Sequence, residues 1–251
     1  MITLKKQNVL VTGGSRGIGK ACVELFVKAG ANVAFTFNLA KEEADKIVSD
    51  YKESLKIKCY QINLANPSEI EKQIRSVLTD FDSVDILVNN AGIWKEAAID
   101  KMTIEEWNEM INVNLTSTYL ITKLLVPKMK EKHFGRIINI ASTAGQRGEA
   151  FHSHYAASKG GMISLTKSLA AELGEFNITV NCVAPGWVIT DMTTDSLAET
   201  EIYKKVLSDI PLLKIAQPEE IAGPVLFLAS HLASHITGEI LNVNGGSVLC
   251  G

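Results

Sequence analysis

Val9-Leu10-Val11-Thr12-Gly13-Gly14-Ser15-Arg16-Gly17-Ile18-Gly19 is the stretch whose reading decides the fold. A short apolar strand pattern runs into a glycine-rich turn, and an amphipathic helix pattern follows over 17–29. Glycines let the backbone turn tightly and approach a pyrophosphate, while a helix N-terminus offers free N–H groups and the positive end of its dipole. The spacing is not the plain G-x-G-x-x-G, so the weight falls on placement after a first strand and before a helix. On that basis Gly13, Ser15, Arg16, Gly17, Ile18 and Gly19 are assigned to a phosphate cradle.

Outward from this turn, short apolar runs alternate with longer amphipathic stretches. Strands are expected at 8–12, 32–37, 57–62, 84–88, 135–141, 178–184 and 239–243. Helices are expected at 17–29, 40–53, 67–80, 104–132, 153–175 and 217–230. Pro67 and Pro218 stand where prolines open helices, and Gly30 and Gly174 where helices end. The strands are apolar on both faces, as a buried parallel sheet requires. The pattern predicts an α/β protein. It is a single-domain Rossmann fold over residues 1–251, with a doubly wound parallel sheet of about seven strands and helices on both faces. The least regular stretch, 186–213, is read as a mobile or partly helical substrate loop.

Composition narrows the function. Of 251 residues, 46% are hydrophobic and 21% charged, with a net charge of -3. That charge gives no global attraction to nucleic acid. No apolar run is long enough to span a bilayer, and the N-terminal residues lack a signal-peptide layout. Cys22, Cys59, Cys182 and Cys250 form no CxxC pair. Reduced thiols in a cytoplasmic protein are therefore expected.

The second strand ends Phe35-Thr36-Phe37-Asn38 without the acid that grips a ribose 2′-hydroxyl. Arg16 is instead placed to pair with a 2′-phosphate, assisted by Lys41, so NADP(H) is favoured over NAD(H). Farther along, Tyr155 and Lys159 stand four residues apart, on one face of the 153–175 helix. A tyrosine is a poor base near neutral pH, with a reference pKa of about 10. A nearby ammonium favours the phenolate. With Ser142 to hold a carbonyl oxygen, these are the parts that move a proton on or off an oxygen while a hydride moves at the adjacent carbon.

With these residues in place, the whole chain resembles the short-chain dehydrogenases/reductases. The resemblance rests on Thr12-Gly13-(three residues)-Gly17-Ile18-Gly19, Asn89-Asn90-Ala91-Gly92, Asn114, Ser142, Tyr155-(three residues)-Lys159 and Pro185-Gly186. It implies an NAD(P)-dependent oxidoreductase acting on CH–OH/C=O groups. Tyr155 is the implied general acid of reduction. Lys159 lowers its pKa and binds the nicotinamide ribose, Ser142 holds the substrate carbonyl, and Asn114 anchors a water leading to Lys159. Asn38, Asn63 and Leu64 fall at the adenosine end, with Asn63 standing where the family commonly has an aspartate. Asn90, Ala91 and Gly92 line the cofactor. Val188 and Thr190, after Pro185-Gly186, hold the carboxamide. Asn89 and Asn112 read as residues that satisfy the backbone and tie the sheet. A homotetramer packed through the two long helices is implied as well.

Within the family the resemblance is to the bacterial 3-oxoacyl-[acyl-carrier-protein] reductases of fatty acid synthesis, through 181–186 and 242–246. It implies an acyl-thioester substrate and an acyl carrier protein as partner. Two departures bear on that partner: His133 and Phe176 replace arginines that dock the carrier. Lys128, Lys130, Lys132 and Arg136 form a local basic cluster, read either as a carrier site or as a solvated helix end. A sugar, polyol or other alcohol dehydrogenase is the alternative. Trp94, Gln146, His152, Trp187 and Met192 are candidate pocket residues. No metal site is expected: His152 and His154 find no third ligand in the sequence. Gly160 and Gly161 inside a helix point to close backbone packing.

Overall fold

The computed structural model describes residues 2–52 and 56–249. Seven strands form one parallel sheet: β1 (Asn8–Val11), β2 (Asn32–Phe37), β3 (Ile57–Gln61), β4 (Ile86–Asn89), β5 (Gly135–Ile140), β6 (Ile178–Pro185) and β7 (Ile240–Val243). Their order is β3-β2-β1-β4-β5-β6-β7. Every residue of β4, β5 and β6 is buried, as covering both faces demands. The outer strand β3 carries the exposed polar residues Lys58 and Gln61, which suits an edge strand.

The helices are α1 (Gly17–Lys28), α2 (Lys41–Tyr51), α3 (Pro67–Phe81), α4 (Ile104–Ile111), α5 (Ser117–Lys132), α6 (Ala144–Arg147), α7 (Ser153–Leu173), α8 (Thr194–Ala198), α9 (Thr200–Ser208) and α10 (Pro218–Ala229). Alternation along the strands divides the core into two layers. Val9, Val11, Val33 and Phe35 point to one face and meet Cys22, Phe26, Ile221 and Val225 of α1 and α10. Leu10, Ala34 and Leu87 point to the other and meet Ile70, Ile74, Ile121 and Leu125 of α3 and α5. Among the described residues no helix is long and apolar enough to cross a membrane. Cys22 and Cys182 are buried free thiols and Cys59 is half-buried; Cys250 lies outside the described residues.

All seven expected strands form, and the helix punctuation reads as expected. Pro67 and Pro218 open α3 and α10. Gly30 follows α1 with φ +87. At the end of α7, Gly174 stays right-handed and continues into a short 3-10 turn, so the left-handed position falls on Asn177.

Two departures are local. The expected helix 104–132 is broken by a π-helical turn at Asn112–Thr116, which turns Asn114 inward. A short helix, α6, follows β5 where none was expected. The stretch 186–213, expected as mobile or partly helical, is partly helical: it contains α8 and α9, packed on a small core of Val206, Ile210 and Ile215.

A buried polar chain holds the centre of the sheet. Asn89 and Asn139 are register partners on β4 and β5. Asn89 Nδ2 donates to Asn139 Oδ1 at 2.9 Å, and Asn139 Nδ2 donates to Thr166 Oγ1 of α7 at 2.9 Å. Asn139→Ala leaves Asn89 Nδ2 with its 3.4 Å bond to Thr122 and Thr166 with its bond to the Met162 carbonyl, and two buried hydrogen bonds lost together cost roughly 2 kcal/mol. Urea unfolding of the variant should show a loss of that size with an unchanged m-value.

Candidate functional site

The sheet order places β1 between β2 and β4, so connections leave in opposite directions at the C-terminal ends of β1 and β4, where open α/β sheets bind ligands. A cleft of about 1040 Å³ opens there. Thr12 holds its two sides together. Its Oγ1 accepts from the backbone N–H of Asn90 at 2.9 Å and of Ala91 at 3.0 Å, and its carbonyl accepts from Asn90 Nδ2 at 2.9 Å.

The glycine turn has the backbone geometry its composition calls for. Gly13 and Gly17 have φ +66 and +52, the left-handed region that favours glycine. A Cβ on Gly19 would stand 2.0 Å from the Gly13 carbonyl oxygen. No side chain caps α1, so its dipole end faces the cleft that Gly17, Ile18 and Gly19 line.

Gly13, Ser15, Arg16, Asn38, Asn63, Leu64, Asn90, Ala91, Gly92, Pro185, Gly186, Val188 and Thr190 line the same cleft. So do Ser142, Tyr155 and Lys159. At the adenosine end both expected cations already face carboxylates. Arg16 lies 3.5 Å from Asp191 with both side chains about two-thirds exposed, and Lys41 pairs with Asp45. Exposed pairs of this kind are worth about 0–1 kcal/mol, so a phosphoryl group can displace them.

At the other end Ser142 and Tyr155 line the same wall of the cleft, and the Ser142 hydroxyl acts on the Tyr155 phenol. Burial pushes the Tyr155 phenol up to about 12, opposed by the Ser142 bond and reinforced by the charge of Glu149. The expected lowering by Lys159 is not what the geometry produces. Lys159 is 4% exposed, its Nζ donates to the Ile140 carbonyl at 2.7 Å, and it lies 5.8 Å from the centre of the Tyr155 ring. Burial lowers Lys159 to about 8.

Asn114 does not line the cleft. Its Oδ1 accepts from Ile93 N at 2.8 Å, and its Nδ2 donates to Ile93 O and to Ser158 Oγ at 3.0 and 3.1 Å. The π-turn thus serves to pin Ile93 beside Gly92. A Cβ on Gly92 would come within 3.2 Å of Asn114 Oδ1 and 3.5 Å of Lys159 Nζ. Gly160 and Gly161 close the packing of α7 on Gly145 and Leu115.

Of the candidate pocket residues, Trp94, Trp187 and Met192 line the cleft; Gln146 and His152 stand behind it. Gln146 donates to Asn242 at 2.7 Å, and the His152 ring stacks under Trp94 at 4.5 Å. Sequence reading passed over Glu149, Arg147 and Asp191, which also line the cleft. They sit in loops or at element ends, where no periodicity marks them. The basic cluster is largely committed internally. Arg136 is buried with its guanidinium on the Gly135 and Asn177 carbonyls, Lys128 pairs with Glu131, and Lys132 pairs with Asp85. Lys130 lies over the Phe176 ring, which is itself tilted against His133.

A glycine cradle on an uncapped helix, a cleft at the switch point and a serine and a tyrosine beside a buried lysine fit a nicotinamide dinucleotide and define a dinucleotide-binding α/β protein. Known proteins agree. A family profile described as "Enoyl-(Acyl carrier protein) reductase" matches residues 13–247. The 3-oxoacyl-[acyl-carrier-protein] reductase FabG of Aquifex aeolicus is 42% identical over 248 residues, covering 98% of each chain. The protein of the same name from Vibrio cholerae is 42% identical over 98% of each chain. A solved structure described as a putative NAD(P)-dependent gluconate 5-dehydrogenase from Beutenbergia cavernae, with NADP bound at low occupancy, superposes with a TM-score of 0.91 at 33% identity, covering 98% of each chain. The chain belongs to the short-chain dehydrogenase/reductase family.

Gly19→Ala tests the cradle. Its methyl has no room against the Gly13 carbonyl, so the turn must open. Titration of NADPH fluorescence should show affinity lost by at least about tenfold, or ~1.4 kcal/mol, with the circular dichroism spectrum retained.

Proposed function

We propose that the protein is an NADPH-dependent reductase that converts the 3-oxo group of an acyl thioester to a secondary alcohol, as a 3-oxoacyl-[acyl-carrier-protein] reductase. The observation that carries the reading is the Ser142–Tyr155 hydroxyl pair on the cleft wall beside buried Lys159. Relatives named for this reaction at 42% identity over nearly the full length support it. The profile's own description names an enoyl reduction. Two hydroxyls meeting at one point suit a carbonyl oxygen, which accepts two hydrogen bonds, better than a carbon–carbon double bond.

Gly13, Ser15, Gly17, Ile18 and Gly19 would hold the pyrophosphate, and Asn38, Asn63 and Leu64 the adenosine. Asn90, Ala91, Gly92, Pro185, Gly186, Val188 and Thr190 would hold the nicotinamide half. When bound, the nicotinamide supplies the hydride to the carbonyl carbon. Tyr155 keeps its proton well above neutral pH and gives it to the carbonyl oxygen as charge develops there. Ser142 donates a second hydrogen bond to that oxygen, stabilising it before the proton arrives. Lys159, charged below about pH 8, sits 5.8 Å from the centre of the ring and would bind the nicotinamide ribose. Asn114, through Ile93, fixes the Asn90–Gly92 wall against which the cofactor rests.

NADPH is preferred through Arg16, whose guanidinium exchanges Asp191 for a 2′-phosphate; the NADP in the gluconate dehydrogenase-like neighbour is consistent with this. An acyl carrier protein as partner, a homotetrameric assembly and a cytoplasmic location belong to the same reading. A second reading, a sugar, polyol or other alcohol dehydrogenase, is favoured by the polar Glu149 and Arg147 in the substrate half of the cleft.

Two measurements test the proposal. With acetoacetyl-CoA and NADPH, Tyr155→Phe should lower kcat/KM by about a hundredfold to ten-thousandfold, the range of general acid catalysis. Turnover within tenfold of the parent would remove Tyr155 from the mechanism. Arg16→Ala should weaken NADPH by about tenfold, the scale of a lost charge-assisted pair, and leave NADH nearly unchanged. Equal losses for both cofactors would overturn the assignment of Arg16.

A further inference from the structure

The substrate half of the cleft contains a carboxylate that the reduction of a plain acyl thioester does not use. Glu149 lines the cleft in the loop between α6 and α7, half-buried. It accepts one hydrogen bond, from the indole Nε1 of Trp94 at 3.3 Å. The indole is itself fixed: it stacks on His152 with an interplanar angle of 2° and meets Trp187 edge-on at 5.9 Å. His152 is held in turn by a bond between Nδ1 and the Ala150 carbonyl at 2.9 Å. Trp94 therefore aims the carboxylate, and a carboxylate has acceptor capacity for several further donors. Glu149 and Tyr155 line the same cleft, and the carboxylate's charge helps to raise the Tyr155 phenol.

A methylene chain gains nothing from such a neighbour, because a partly desolvated carboxylate facing carbon loses water without a replacement. A hydroxyl supplies the missing donor. We infer that Glu149, positioned by Trp94, is a hydroxyl-recognising subsite that gives the enzyme a further activity, reduction of ketones bearing a hydroxyl near the carbonyl. The reaction is the one already described: hydride to the carbonyl carbon, proton from Tyr155 to the oxygen, and no bond made or broken at the recognised hydroxyl. The inference rests on the proposed carbonyl reduction and names an additional substrate class for the same site.

The test compares cyclohexanone with 2-hydroxy- and 3-hydroxycyclohexanone, using NADPH, in the parent, Glu149→Gln and Trp94→Phe proteins. Acetoacetyl-CoA reduction by the parent serves as an independent check on the basic reaction. In the parent, at least one hydroxyketone should exceed cyclohexanone in kcat/KM by tenfold or more, chiefly through KM. Glu149→Gln should collapse that ratio severalfold or more towards one. Trp94→Phe keeps a ring in the stack but removes the N–H, and should reduce the ratio in the same direction by a smaller factor. The ratio cancels any change that Glu149 makes to Tyr155, because Tyr155 serves both ketones. Thioester turnover with no hydroxyl preference in the parent would overturn the subsite and leave the proposed reaction standing. A ratio indifferent to Glu149→Gln would also overturn it. No turnover of thioester or ketones would defeat both readings.

Discussion

The Thr12 side chain closes a backbone junction on which the rest of the site depends. One hydroxyl accepts from two successive N–H groups across the gap between the ends of β1 and β4. That fixes the spacing between the glycine turn and the Asn90–Gly92 wall. Everything farther into the cleft is referred to this spacing. Gly13 rests against Ala91, Gly92 rests against Asn114, and Asn114 holds Ile93 by both backbone groups. The chain of contacts runs through backbone and short amides, which have few rotamers to lose, so the geometry is set before any ligand arrives.

The electrostatics of the site follow from the same close packing. Lys159 has been brought into a place where water does not solvate it, and its one hydrogen bond goes to a main-chain carbonyl of β5. Desolvation outweighs that bond, hence the fall of its pKa towards 8. The same burial acts on Tyr155 with the opposite sign, keeping the phenol protonated. Both shifts favour the neutral member of each pair, as expected when burial rather than mutual charge dominates. A proton donor suits reduction better than a preformed phenolate does. The protein reaches that state by excluding water.

Much of this was legible in the sequence because it depends on local rules. The strands showed as apolar runs, α1 as a helix after a glycine turn, and Tyr155 and Lys159 as neighbours one helical turn apart. The Asn112–Thr116 π-turn was not legible. It lies inside a continuous helical pattern, and its cause is tertiary, a side-chain amide satisfying the backbone of Ile93 some twenty residues earlier. Glu149 and Asp191 were missed for a related reason. A charged residue in a loop reads as solvated until the fold shows which wall it faces. Partial helix within 186–213 was expected, but the bounds of α8 and α9 were hidden because their apolar residues serve a small separate core rather than the sheet.

That separate core bears on how the cleft recognises its substrate. The groups proposed to move protons stand just after β5 and on α7, elements packed into the main layers. Trp187, by contrast, packs with the Val206–Ile210–Ile215 core of the α8–α9 segment and also meets Trp94 edge-on. Trp94 in turn sets the direction of Glu149. Recognition is thereby coupled to the α8–α9 segment, while the proton-transfer groups are anchored to the sheet. A shift of that segment would reach Glu149 through two aromatic contacts. It would reach Tyr155 only through the rigid core, where close packing resists displacement. The division lets the wall facing the substrate change with little disturbance to the hydroxyl pair.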